Sequence, residues 1–150
     1  MKKILIILIG WSVISNAYTI KEITDACNNG SSKSCNKLAS MYCTGQVGKI
    51  DEKKGLEIYK KSCELGDGKG CYQIGHILSD KTHTRFNDFK VAKFYRKSCE
   101  SGYIQGCNSL GYAFEHGKGV RKSYAKAKEL YTKACGYGFD LACQNYDNLK

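Results

Sequence analysis

Ser34 and Lys37, and again Ser123 and Lys126, stand three residues apart, the spacing at which a lysine can activate a serine nucleophile. The elements that accompany such a pair in serine acyl-transfer enzymes, Ser-Asp-Asn and Lys-Thr-Gly, are absent, and Ser79-Asp80-Lys81-Thr82-His83 only echoes them. In so lysine-rich a chain about two such matches arise by accident, and Ser123 reads more simply as a helix cap. Three histidines, His76, His83 and His116, are the side chains suited to general-base work near neutral pH. His83 and His116 fall in or beside loops. Glu115 precedes His116, but adjacent residues on a helix do not face each other, so no local dyad follows. Ser34, Lys37 and His76 are left as weak catalytic candidates.

Eight of the nine cysteines form four pairs of one internal spacing, Cys27/Cys35, Cys63/Cys71, Cys99/Cys107 and Cys135/Cys143, and each pair begins 36 residues after the last. Zinc ligands are usually spaced by two to four residues, and no histidine recurs with these cysteines, so the pattern reads as disulfides and no metal or other cofactor is expected. Cys43 is left over; its repeat equivalents are Ser79 and Glu115. An odd cysteine in an exported chain is either a reactive or intermolecular thiol or a buried inert one.

Residues eight apart in one helix would be separated by about 12 Å, whereas a disulfide tolerates Cα separations only up to about 6.8 Å. The chain must therefore turn between the two cysteines of each pair. A glycine three residues after each first cysteine (Gly30, Gly66, Gly102, Gly138) suits a left-handed helix end. Asp51, Asn87 and Ser123 align as N-caps of the helix entering a bridge, and Tyr59, Tyr95 and Tyr131 align within it. The helix leaving each bridge carries Leu38, Ile74 or Leu110 followed by a small residue, Ala39, Gly75 or Gly111, where a neighbouring backbone is expected to pack. The fold class expected is all-α, an α/α solenoid of 36-residue repeats stapled at 27–35, 63–71, 99–107 and 135–143.

The N-terminus has a basic Lys2-Lys3, an apolar run from Ile4, and Ser15-Asn16-Ala17 as a small-x-small site, the pattern of a cleaved signal peptide. The expected organisation is a signal peptide over 1–17 and one repeat domain over 18–150. That domain divides into a partial repeat (18–34), three repeats (35–70, 71–106, 107–142) and a C-terminal cap (143–150). Secretion or residence in the periplasm follows, with no membrane anchor after cleavage, because the apolar stretch falls short of the ~20 residues that span a bilayer. Loss of Lys2 and Lys3 lowers the formal charge from +10 to +8, which favours acidic partners. Export argues against nucleic acid.

The third copy reads Leu110-Gly111-x-Ala113-Phe114-Glu115-x-Gly117-x-Gly119-Val120, then Ala125, Lys126, Ala127, Tyr131, Lys133, Ala134 and Gly138. It closely resembles the Sel-one-like repeat, a relative of the TPR. With the cysteine spacing, the period and the export signal, the mature chain resembles the Helicobacter cysteine-rich proteins. The resemblance implies a penicillin-binding protein with slow β-lactamase activity, hydrolysing a cyclic amide C–N bond and linked to antibiotic resistance. It implies as well a secreted factor met by host cells.

The residues themselves suggest a non-enzymatic scaffold, since solenoids of helix pairs present a concave groove for extended peptides. Asn36, Tyr72 and Asn108, with Ser40, His76 and Tyr112 one turn later, are the stripe expected to line it, asparagine being able to bond a peptide backbone as donor and acceptor. The partners implied are a β-lactam or cell-wall peptide, or an extracellular protein or peptide, bound by a monomer.

Overall fold

The computed structural model describes residues 19–81 and 85–149; the expected signal peptide and His83 lie outside the described residues. Among those residues every regular element is a helix: α1 (19–28), α2 (Ser32–Thr44), α3 (Glu52–Glu64), α4 (Gly68–Lys81), α5 (Arg85–Glu100), α6 (Ile104–His116), α7 (Tyr124–Gly136) and α8 (Asp140–Asn148). Each helix from α2 onward packs on its successor. Successive even-numbered helices also touch, α2 with α4 and α4 with α6, whereas no comparable contact joins α3 with α5 or α5 with α7. The array therefore curves with α2, α4 and α6 on its inner side.

Each disulfide joins the last turn of an odd-numbered helix to the first turn of the next, with Cα atoms 4.5–4.7 Å apart. The turn between them is the same in all four copies. In the second, the Gly66 N–H donates to the Cys63 carbonyl at 3.1 Å and the Asp67 N–H to the Ser62 carbonyl at 3.2 Å, which satisfies two carbonyls that a helix end would leave unpaired. Gly66 has φ +87°, a conformation costly for any residue with a Cβ. The cysteine carbonyl and its side chain thus close one turn twice. Cys35, Cys71 and Cys107 are fully buried, so the sulfurs also supply core.

Cys143 differs from these three counterparts in its burial. Its bond to Cys135 forms as expected, with Cα atoms 4.7 Å apart, but Cys143 is only half-buried. The physical reason is its place at the end of the array: among the described residues no helix follows α8 to cover it, as α3, α5 and α7 follow the helices of the other three. In its backbone Cys143 matches the others: it lies three residues into α8, as Cys35, Cys71 and Cys107 do in α2, α4 and α6, and its N–H donates to the Phe139 carbonyl at 3.4 Å as that of Cys71 does to the Asp67 carbonyl at 3.3 Å.

Buried serines tie one unit to the previous one. Ser62 Oγ donates to the Ser32 carbonyl at 3.0 Å and Ser98 Oγ to the Gly68 carbonyl at 2.7 Å. Both accepting carbonyls lie at the start of an even-numbered helix, one unit back. Gly70 and Gly106 leave room for these hydroxyls, since a Cβ at either would collide with the serine.

Two further local expectations are corrected. The small residues at Gly75 and Gly111 face not a backbone but the rings of Tyr95 and Tyr131, whose Cε1 atoms lie 2.6 and 2.7 Å from where a Cβ would stand. Asp51 and Ser123 do cap α3 and α7, accepting from the N–H of Lys54 and Lys126, but Asn87 is not a cap. Helix α5 starts at Arg85 and takes Asn87 into its first turn. The Asn87 amide instead donates to the Leu78 carbonyl at 2.6 Å. In the flanking copies the equivalent carbonyls, of Tyr42 and Phe114, accept from the backbone N–H of Asp51 and Ser123. A side chain has taken over a bond that the lengthened helix can no longer supply from its backbone.

Candidate functional site

The inner-face stripe divides into three connected parts. At the N-terminal end a cleft of about 560 Å3 lies among Asn36, Ser40, Tyr59, Gln73 and Tyr103, with Lys33, Lys37, Lys69 and Asp67 around it. Asn36 is only 7% exposed, and its Oδ1 has no hydrogen-bond partner. A buried acceptor left unpaired costs on the order of 1–3 kcal/mol. Burial holds the phenol of Tyr59 above its ordinary pKa, as does the nearby Cys43, while a hydrogen bond with Ser40 works the other way.

Tyr103 links that cleft to an aromatic group centred on Tyr72, whose ring lies 5.4 Å from Tyr103, 5.8 Å from Tyr95 and 6.0 Å from His76. Tyr95 in turn lines a cleft of about 340 Å3 with Ser79, Asp80, Tyr112 and Lys118. There Tyr112 stacks on His116 with ring centres 4.1 Å apart. Asn36, Ser40, Tyr72, His76 and Tyr112 therefore follow one another along the stripe. Asn108 differs: it is buried, and its Oδ1 accepts from Asn145 Nδ2 of α8 at 2.9 Å. The Asn36 Oδ1, equally enclosed, has no such donor among the described residues.

The catalytic candidates do not assemble into a dyad. Ser34 sits in the first turn of α2, where its Oγ accepts from Ser31 Oγ at 2.9 Å while Ser31 caps the helix. Lys37 is exposed one turn on, and no hydrogen bond joins it to Ser34. His76 is exposed; its backbone carbonyl accepts from Ser79 Oγ at 2.7 Å. Ser123 is spent as the α7 cap. His116 Nδ1 lies 3.1 Å from the Tyr112 carbonyl and 4.0 Å from Glu115 Oε2, beyond a hydrogen bond.

The bridging cysteines, the half-buried Cys143 included, line neither inner-face cleft; their part is to hold the hairpins that carry the stripe. Cys43 is half-buried too, and its sulfur occupies the space a side chain at Gly55 would need. Among the described residues no group of three or more His, Cys, Asp or Glu converges to hold a metal ion. No described helix is long and apolar enough to cross a membrane.

The residues that sequence reasoning missed are Gln73 and Tyr103 at the cleft and Asn145 on Asn108. Gln73 immediately follows the expected Tyr72. Asn145 has Lys37, Gln73 and Ser109 as repeat counterparts, so no recurring signal marked it.

The Sel1 repeat family model matches residues 32–67 and 104–136. A Sel1 repeat protein from Oxalobacter formigenes superposes with a TM-score of 0.79 at 18% identity, over 87% of this chain and 98% of that one. A protective antigen of uropathogenic Escherichia coli with an SLR fold gives 0.76 at 24% identity; the match spans 85% of this chain and 27% of that longer protein. Helicobacter pylori cysteine rich protein B is 31% identical, with a TM-score of 0.62 over 83% of this chain and 95% of its own. No protein of curated function matches the chain at a significant level. With the shared fold and that degree of identity, the chain belongs to the Sel1 repeat family, as one of its cysteine-rich, disulfide-stapled members.

Proposed function

We propose that this protein is an exported scaffold that holds an extended peptide or protein segment along its inner face. The observation that carries the reading is Asn36, which lines a 560 Å3 cleft while its buried Oδ1 has no hydrogen-bond partner among the described residues. A turn of that side chain into the cleft would pair the acceptor with a ligand N–H, and a peptide backbone supplies one per residue. Lys33, Lys37 and Lys69 at the rim favour acidic side chains in that segment. The repeat scaffold supports protein binding, and the absence of a Ser34–Lys37 bond favours binding over hydrolysis.

Export is part of the same reading. Four disulfides persist in oxidising compartments, and the N-terminal pattern places cleavage after Ala17. Terminal sequencing of the mature protein is expected to begin at Tyr18.

The test uses linear peptides selected by display on the oxidised protein, followed by calorimetry on the synthetic peptide. Asn36→Ala and Gln73→Ala are expected to weaken binding at least tenfold without lowering the melting temperature. Equal affinity of selected peptides for Asn36→Ala would overturn the site. Nitrocefin turnover that is lost in Ser34→Ala would replace the scaffold with the hydrolase implied by the cysteine-rich relatives.

A further inference from the structure

A second cleft, of about 570 Å3, opens between α5 and the loop joining α6 to α7. Four cations line it, Arg96, Arg121, Lys122 and Lys126, and no carboxylate does. Its apolar walls are Phe89, Phe114 and Val120, and Phe89 is 60% exposed. It shares no residue with the cleft at Asn36. The acidic residues nearby lie in the adjoining hollows, Asp88 on one side and Glu100 and Glu129 on the other. Among the described residues none of the four cations forms an ion pair; Lys126 and Lys122 instead stand over the rings of Phe114 and Tyr124, at 5.2 and 4.7 Å.

The wall of this cleft is built in advance. Gly119, at φ +67°, lies so close to the Asp88 carbonyl that a Cβ would overlap it. The loop is pinned at both ends by the Lys118 and Ser123 N–H groups donating to the Ala113 and Phe114 carbonyls at 2.9 and 2.8 Å. Val120 packs against the core. A fixed loop lowers the ordering cost of binding.

We infer that this cleft binds a small saccharide bearing sulfate or phosphate esters. Arginine forks match tetrahedral oxyanions in geometry as well as charge. The exposed Phe89 ring beside them calls for a ligand with an apolar face, which a sugar ring has and a bare anion lacks. The volume lies in the range of small-ligand pockets.

The experiment titrates the oxidised protein with sucrose octasulfate and with inositol hexakisphosphate at physiological ionic strength, using amide chemical shifts and calorimetry. Sucrose, inorganic sulfate and a tetraglutamate peptide are run as controls. At least one charged saccharide or cyclitol is expected to shift the amides of Phe89, Val120 and Lys126, and comparison of the two separates sulfate from phosphate preference. Arg96→Gln/Arg121→Gln and Lys122→Gln/Lys126→Gln should each weaken binding at least tenfold, and Phe89→Ala at least threefold. Lys33→Gln/Lys37→Gln should leave it within twofold. Two separate pairs keep the test open if one variant fails to fold. Shifts confined to the Asn36 cleft, equal binding of inorganic sulfate or tetraglutamate, or indifference of both cation pairs would overturn the assignment.

Discussion

The phenol of Tyr131 donates a 2.7 Å hydrogen bond to Glu115 Oε2, and its ring covers the notch left by Gly111. Tyr131 is fully buried, so this one contact closes the packing of α7 on α6 and satisfies the only polar atom of its side chain. Removing the hydroxyl in Tyr131→Phe leaves Glu115 without that donor and is expected to cost about 1–2 kcal/mol, read from denaturant midpoints at neutral pH.

The same burial gives stability a dependence on alkaline pH. Burial, followed by the bond and charge of Glu115, raises the Tyr131 pKa far above its ordinary value of 10, and burial raises that of Tyr59 as well. Below pH 10 both phenols are protonated whether the chain is folded or not. Above it the unfolded chain releases protons that the folded chain retains, so stability falls as pH rises. The slope is about 1.4 kcal/mol per pH unit for each such tyrosine. Denaturation series between about pH 9 and pH 11 are expected to show this decline, shallower in Tyr131→Phe.

Glycine substitutions should separate by what lies opposite. Gly111→Ala places a methyl 2.7 Å from the Tyr131 ring and is expected to destabilise by about 1–3 kcal/mol through overpacking. Gly136→Ala, at the end of α7, meets nothing within 4 Å and is expected to stabilise by a few tenths to about 1 kcal/mol. Thermal melts of the two variants check the contrast.

The serine ties between units can be tested singly. Ser98→Ala removes the donor to the Gly68 carbonyl and leaves that acceptor buried, for an expected loss of about 1–2 kcal/mol. Amide exchange should quicken most where α4 and α5 meet.

Each disulfide closes a short loop and is expected to contribute about 2–3 kcal/mol. Cys63→Ser/Cys71→Ser, in the middle of the array, should lower the melting temperature more than Cys135→Ser/Cys143→Ser. Cys143 is half-buried where Cys71 is fully buried, and its helix α8 packs on α7 alone among its chain neighbours.

Features written into every copy were legible from sequence: the cystine turns, the left-handed glycines and the tyrosines each recur at one period, and repetition separates signal from accident. The missed features belong to single copies or to pairs across copies. Asn87 aligns with Asp51 and Ser123 yet does other work, because α5 begins three residues earlier than that alignment implies. Gly75 and Gly111 announced close packing, but their neighbour is a ring from the following helix, which local sequence does not name. Ser62 and Ser98 were visible beside their cysteines, though Ala26 and Ala134 at the same position hid the pattern. On the inner face the difference between Asn36 and Asn108 depends on Asn145, on the last helix, which no recurring signal marked.

Every cysteine in the four bridges is joined to the bridge-forming cysteine closest to it along the chain, within a turn whose glycine already brings the two strands of backbone together. Of roughly a hundred connectivities open to eight cysteines, this is the one that oxidation can complete vectorially, hairpin by hairpin, from the N-terminal end of the chain onward. No disulfide joins one helical hairpin (α1/α2, α3/α4, α5/α6 or α7/α8) to another, so a gene could gain or drop a 36-residue module without rewiring any of the sulfur chemistry that remains.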